Sequence, residues 1–139
     1  MKSGYRFLDH TADFRLEIFG ADEGDLFIQA GRALTDLITD PKVLQGRDQH
    51  NLTVFGDDWA DLMVNWLREL LYLWNGREML VCAVELQALE QTRLQASVFT
   101  DAYDPQVHSI RNEIKAVTYH QIEVAPYLEG WRARVIFDI

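Results

Sequence analysis

The sequence predicts an α+β domain: two amphipathic helices layered on a mixed or antiparallel sheet of about seven strands. Three observations carry that prediction. Several short runs alternate apolar and polar residues, the period of a half-buried strand. Two longer segments instead repeat apolar residues every three or four positions, the period of a helix with one buried face. The last four strand-like runs follow one another with no helix between them, so simple strand–helix–strand crossovers do not account for the order. At 139 residues the chain is expected to form one domain over residues 1–139, large enough to bury an ordinary core.

Residues 5–8 read as a short strand. Residues 14–19, Phe14-Arg15-Leu16-Glu17-Ile18-Phe19, alternate and read as a second, which Gly20 interrupts. Residues 22–38 read as a helix with Asp22 as its cap and Leu26, Ala30, Ala33, Leu34 and Leu37 on one face. Gly24 is a poor helix former in its first turn. Asp40-Pro41 ends the segment. Residues 51–55 alternate again. Gly56-Asp57-Asp58 then opens a second helix, with Asp57 expected at the N-cap. Its stripe is Trp59, Met63, Trp66, Leu67, Leu70 and Trp74, widened by Leu62, Leu71 and Leu73. Asn75-Gly76 is a helix stop. The remainder reads as β: residues 81–89, 94–99, one long strand over 113–124, and 131–139. No internal repeat, linker or low-complexity segment is evident.

Composition narrows the function. The formal charge is −9, from 13 basic and 22 acidic residues. Nucleic-acid binders draw most of their affinity from Lys and Arg against phosphate, and no basic cluster occurs here. Tight direct RNA or DNA binding is therefore not expected; a basic protein partner or a cation fits better. No apolar run approaches a membrane span and no signal-like stretch opens the chain, so a cytoplasmic location without membrane contact is expected. Cys82 is the only cysteine. It permits no internal disulfide, and with scattered histidines it leaves no thiolate zinc site. Asn51-Leu52-Thr53 matches a glycosylation sequon, read as chance without a secretory signal.

The unusual chemistry lies at the two ends. Asp9-His10-Thr11-Ala12-Asp13 is a polar knot between strand-like runs, and Val135-Ile136-Phe137-Asp138-Ile139 is apolar and acidic to its last residue. Asp138 is adjacent to the terminal carboxylate of Ile139. Two anions held that close are costly without a cation. If Asp13 joins them, three hard oxygen donors suit Ca²⁺ or Mg²⁺. Each residue also has an ordinary reading. Asp138 shares a strand face with Arg134 and could simply pair with it. Asp13 could belong to a turn. Lys115 could be an exposed strand lysine or a cation serving the carboxylates. His10, His108, His120 and Glu69 are possible ligands, but structural or solvated roles account for them as well. No nucleophile elbow, Walker loop, dinucleotide fingerprint or zinc-protease helix is present.

Four stretches, spread over the chain, together resemble the archease family: Phe7-Leu8-Asp9-His10-Thr11-Ala12-Asp13, the helix from Asp61-Leu62-Met63-Val64-Asn65-Trp66 to Leu73, Glu113-Ile114-Lys115-Ala116-Val117-Thr118-Tyr119-His120, and Gly130-Trp131 through Val135-Ile136-Phe137-Asp138-Ile139. Gly24 and Arg68 depart from the family pattern, outside the expected site. The resemblance implies an accessory protein, not itself an enzyme, that serves an RtcB-type tRNA-splicing RNA ligase and promotes its guanylylation and multiple turnover. It implies a bound divalent metal on Asp13, Asp138 and Ile139, with Ca²⁺ the first expectation and Mg²⁺ or Mn²⁺ the alternatives. It gives Lys115 a part in activation. Two rival readings use the same residues: a stand-alone metal-dependent phosphohydrolase or nuclease, and a chaperone-like interaction module whose carboxylates are structural.

Overall fold

The computed structural model describes residues 3–8 and 13–139. The chain runs β1 (Gly4–Leu8), β2 (Asp13–Gly20), α1 (Glu23–Ile38), a 3₁₀ turn (Pro41–Val43), β3 (Asp48–Phe55), α2 (Trp59–Asn75), β4 (Met79–Glu90), β5 (Arg93–Ala102), β6 (Ala116–Tyr127) and β7 (Gly130–Asp138). All pairing between these strands is antiparallel. The expected strand inventory is met, but it is divided between two sheets. One has the order β1-β2-β7-β6, the other β3-β5-β4.

Two sheets follow from the helices. The stripes on α1 and α2 are too wide for one contact surface. In α1, Leu26, Phe27, Ala30, Ala33, Leu34 and Leu37 are all buried, and so are Leu62, Met63, Val64, Trp66, Leu67, Leu70, Leu71 and Leu73 of α2. Helix α1 packs on β2 and on β4, while α2 packs on β6 and on β3 and β4. Each helix thus meets both sheets, and one continuous core results. At its centre Trp66 is fully buried, with its indole N–H donating to the Phe27 carbonyl at 3.0 Å. That bond satisfies the one polar atom such a side chain carries inward.

Both helices begin by the same device. Asp22 caps α1 by accepting from the Asp25 N–H, and Asp25 reaches back to the Ala21 N–H, both at 2.8 Å. Asp58 caps α2 by accepting from the Asp61 N–H, and Asp61 reaches back to the Asp57 N–H, again both at 2.8 Å. Each box satisfies one amide of the helix's first turn and the amide of the residue before the cap. The N-cap of α2 is therefore Asp58, one residue beyond the expected Asp57, whose own N–H is taken by Asp61. A glycine precedes each box for a steric reason. A Cβ on Gly20 would lie 2.4 Å from the Leu26 nitrogen, and one on Gly56 would lie 2.5 Å from the Leu62 nitrogen. The pattern Gly-x-Asp-x-x-Asp-Leu thus occurs twice, a short repeat that the sequence reading missed.

Gly24 has no such reason. A Cβ there would make ordinary contacts of 3.5 and 3.6 Å with the Asp22 carboxylate and Leu86. Gly24→Ala is expected to stabilise the protein by about 0.5 kcal/mol in urea denaturation.

The long strand expected over 113–124 is shorter and broken. Strand β6 starts at Ala116, and Ile114 is buried just before it while Lys115 is exposed. Between Thr118 and Glu123 five steps along β6 match two along β7, and Gln121 takes a left-handed φ of 53°. The extra residues form an irregular bulge; ahead of it Val117 is buried, while Tyr119 and, before the strand begins, Lys115 are exposed.

Candidate functional site

The site is built by strand register. β2 and β7 pair so that Asp13 stands directly opposite Asp138, followed by Phe14 opposite Phe137 and Arg15 opposite Ile136. On the other side of β7, Ala116 stands opposite Asp138, and the Lys115 N–H donates to the Asp138 carbonyl at 2.8 Å. Asp13, Lys115, Asp138 and Ile139, four residues from three regions of sequence, therefore meet at one end of the four-stranded sheet. Asp9, His10, Thr11 and Ala12, the rest of the expected polar knot, lie outside the described residues.

Side chains directly opposite in an antiparallel pair have Cβ atoms about 5 Å apart, and like charges there are destabilising. The Asp13–Asp138 pair is such a case. Asp13 is partly covered, its side chain 19% exposed, with the Arg15 Nε 3.5 Å from its Oδ1. Asp138 and Ile139 are exposed. Two carboxylates and a main-chain carbonyl offer hard oxygens with no imidazole or thiolate, which suits Ca²⁺, Mg²⁺ or Mn²⁺ in kind. Among the described residues, no three His, Cys, Asp or Glu side chains cluster in a way that could hold a metal ion. A metal here would rest on the two carboxylates and on main-chain oxygen.

Arg134 is not the partner of Asp138, although the two share a strand face. The register sets Arg134 opposite Glu17, and its guanidinium donates to Glu17 at 3.1 and 3.2 Å. Arg6 from β1 donates to the same carboxylate at 2.6 Å. Glu17 is only 2% exposed, beneath two arginine side chains that reach solvent. Burial by itself would raise the Glu17 pKa. The hydrogen bonds from Arg6 and Arg134, with their charges, outweigh it and hold the carboxyl below its ordinary range.

Beside the acidic pair, on the same sheet face, lies an open cleft of about 430 Å³ lined by Leu8, Arg15, Gln121, Glu123, Arg134 and Ile136 among others. The bulge in β6 supplies its far wall, and Arg15 bonds weakly across it to the Gln121 side chain at 3.5 Å. Sequence reasoning missed Arg15. The usable signal is its position two residues after Asp13 in an alternating strand, which puts both on one face.

The other candidates fall elsewhere. His108 is buried, accepts the Asp104 N–H on Nδ1 at 3.0 Å and stacks on Tyr103; it has a structural role. His120 is exposed in the bulge of β6. Glu69 is exposed on α2. The three tryptophans of α2 belong to the core or pack against it. No helix among the described residues is long and apolar enough to cross a membrane.

Comparison with known proteins agrees with the resemblance. The model of the Archease protein family (MTH1598/TM1083) matches residues 5–139. A protein archease from Methanosarcina barkeri is 32% identical over 97% of this chain and 95% of its own length. One from Methanopyrus kandleri is 29% identical over 95% of this chain and 96% of its own length. Among solved structures, protein 1598 of Methanobacterium thermoautotrophicum superposes with a TM-score of 0.81 at 26% identity, covering 98% of this chain and 99% of that one. An archease from Thermotoga maritima, described as a possible chaperone, superposes with a TM-score of 0.64 at 19% identity over 100% of this chain and 98% of that one; that likeness concerns the fold.

Proposed function

This chain belongs to the archease family, and on that premise we propose that it is an accessory protein of an RtcB-type RNA ligase, promoting guanylylation and repeated turnover of the ligase with a divalent ion held at Asp13, Asp138 and Ile139. The observation that carries the reading is the register that sets Asp13 against Asp138 with Lys115 beside them. Two carboxylates opposed in register at an exposed sheet end offer a divalent cation a pair of hard oxygen donors, and that supports the reading. A divalent ion bound there would neutralise phosphate oxygens of an incoming nucleotide.

The remaining steps belong to the chain itself. β2 and β7 hold the two carboxylates in fixed relation, so little reordering is needed when they act. The Lys115 main chain is tied to Asp138, and its exposed side chain is free to meet a phosphate. The cleft walled by Arg15 and Arg134 gives a phosphate chain room beside the pair. The protein raises the population of a reactive arrangement in the ligase and does not itself make or break the bond. The net charge of −9 suits a partner with a basic, RNA-binding surface.

The test is RNA ligation by an RtcB-type ligase with and without this chain. The expected result is many ligated products per ligase with it and few without. A second arm extends the chain beyond Ile139 by a short Gly-Ser tail, converting the last carboxylate into an amide. That chain is expected to fold but to lose metal affinity and activation. Equal ligation by the tailed and native chains would remove Ile139 from the ligand set. Hydrolysis of nucleotide or RNA by the chain alone would favour an enzyme in its own right.

A further inference from the structure

Two of the sequence stretches singled out above, the α2 motif and the segment around Lys115, meet on the protein surface. Tyr119 leaves β6 at the bulge and lies across α2. Its hydroxyl donates to Asp61 at 2.7 Å and approaches the Asn65 amide oxygen at 3.3 Å. The Arg68 guanidinium sits 4.6 Å from the centre of its ring and reaches the Val117 carbonyl at 3.5 Å. Asn65 in turn donates to the Phe55 carbonyl. One helical turn past Arg68, Tyr72 folds over the helix end. A Cβ on Gly76 would lie 2.4 Å from its ring, so the glycine is what lets that ring settle.

Two large aromatic side chains are thereby held in place while exposed, Tyr119 at 46% and Tyr72 at 58%, and the exposed Phe55 lies beside them. Fixing exposed aromatic and arginine side chains costs rotamer freedom and returns little buried area. The same arrangement lowers the cost of binding, because the side chains are ordered before a partner arrives. Tyr and Arg are also the residues that concentrate binding energy at protein interfaces. The surroundings have a definite sign at the start of the helix: Asp57, Asp58 and Asp61 lie there, with Glu69 further along, while the cations Arg68, Arg77 and Lys115 fall toward its other end. The Tyr119 hydrogen bond holds the Asp61 carboxyl below its ordinary range. The cluster also connects to the acidic pair. Asn75 at the end of α2 donates to the Ile114 carbonyl at 2.9 Å, and the next residue, Lys115, donates to Asp138.

We propose that the exposed stripe of α2 with Tyr119 is a docking surface for a basic protein partner, which lays lysine or arginine side chains among these carboxylates and onto the two tyrosine rings. Built on the accessory-protein reading above, it places the partner's contact on α2 and the metal-bearing end beside it. Charge complementarity sets the sign and the ring faces accept cations.

The test measures direct binding between labelled chain and an RtcB-type ligase by anisotropy, without nucleotide. The double variant Tyr72→Ala/Tyr119→Ala is expected to weaken binding by about tenfold or more. Gly76→Ala, which displaces only the Tyr72 ring, is expected to weaken it about threefold with the melting temperature nearly unchanged. Raising NaCl from about 50 to about 300 mM should weaken the wild-type complex, as screening of exposed charges requires. Wild-type binding with unaltered affinity in both variants, each with a native melting curve, overturns the docking surface alone. Failure of the wild-type chain to bind the ligase overturns it together with the reading beneath it.

Discussion

Asp138→Asn is expected to raise the melting temperature of the metal-free protein and to abolish both its response to Ca²⁺ and its activation of the ligase. Asp13 and Asp138 are directly opposed across β2 and β7, an arrangement of like charges that costs up to about 1 kcal/mol in a sheet. Neutralising one member relieves that repulsion, so the apo variant gains stability. A ligand that binds only the folded state adds RT ln(1 + [L]/Kd), about 2.7 kcal/mol at a hundredfold excess over Kd. The wild type should therefore show an upward shift in melting temperature with CaCl₂, and the variant should show little or none. Asp13→Asn should behave likewise, with a smaller gain without metal because Arg15 already stands 3.5 Å from Asp13. A calcium-induced shift of wild-type size in either variant would remove that residue from the metal site. Such an opposition of stability and function is the result expected of a site kept for use.

Glu17→Ala is expected to destabilise the protein by about 2–3 kcal/mol in urea denaturation at neutral pH. The loss comes from hydrogen bonds to two arginines and from the packing of their stems over the strand. It falls at the lower end for a buried ion pair, because Arg6 and Arg134, 60% and 49% exposed, can turn to water once the carboxylate is gone. The same carboxylate gives the wild type a pH dependence. Its pKa is lowered on folding, so its contribution is complete above the unfolded value of about 4.3 and is lost as pH falls through the lower folded value. Glu17→Gln should be less stable than wild type at pH 7 and should lose less on acidification to about pH 3. An acid limb identical in the two proteins would show that the Arg6–Glu17–Arg134 cluster does not set it.

Local pattern was legible in the sequence because its physics is local. The three-to-four spacing of Leu26, Ala30, Ala33, Leu34 and Leu37 placed α1, and Asp22 caps it as its position suggested. Alternation placed β2 and β7, and with β7 the face on which Asp138 lies; Asp13, read as part of a turn before the strand, is instead the first residue of β2. Their direct opposition is a register, which no single strand encodes; it follows from which strands pair and where the pairing begins. The division into two sheets was hidden for a related reason. Alternation marks a strand but names no neighbour, and the clue lay in how many sides of α2 are apolar. The bulge in β6 was invisible because residues 119–122, Tyr-His-Gln-Ile, continue the strand-like composition without a glycine to mark the break. The surface cluster of Asp61, Arg68 and Tyr119 escaped notice because each residue alone reads as solvated. Arg134 was paired with the wrong acid because two carboxylates, Glu17 and Asp138, compete for it, and only the register decides.

The most direct measurement is calorimetric titration of Ca²⁺, Mg²⁺ and Mn²⁺ into metal-stripped protein, comparing wild type with the Asp13→Asn/Asp138→Asn double variant. One saturable divalent site is expected in the wild type and none in the double variant, with both proteins showing native cooperative unfolding. Superimposable isotherms for the two proteins would contradict the account, because the carboxylates that the β2–β7 register brings together would then have no part in holding the ion.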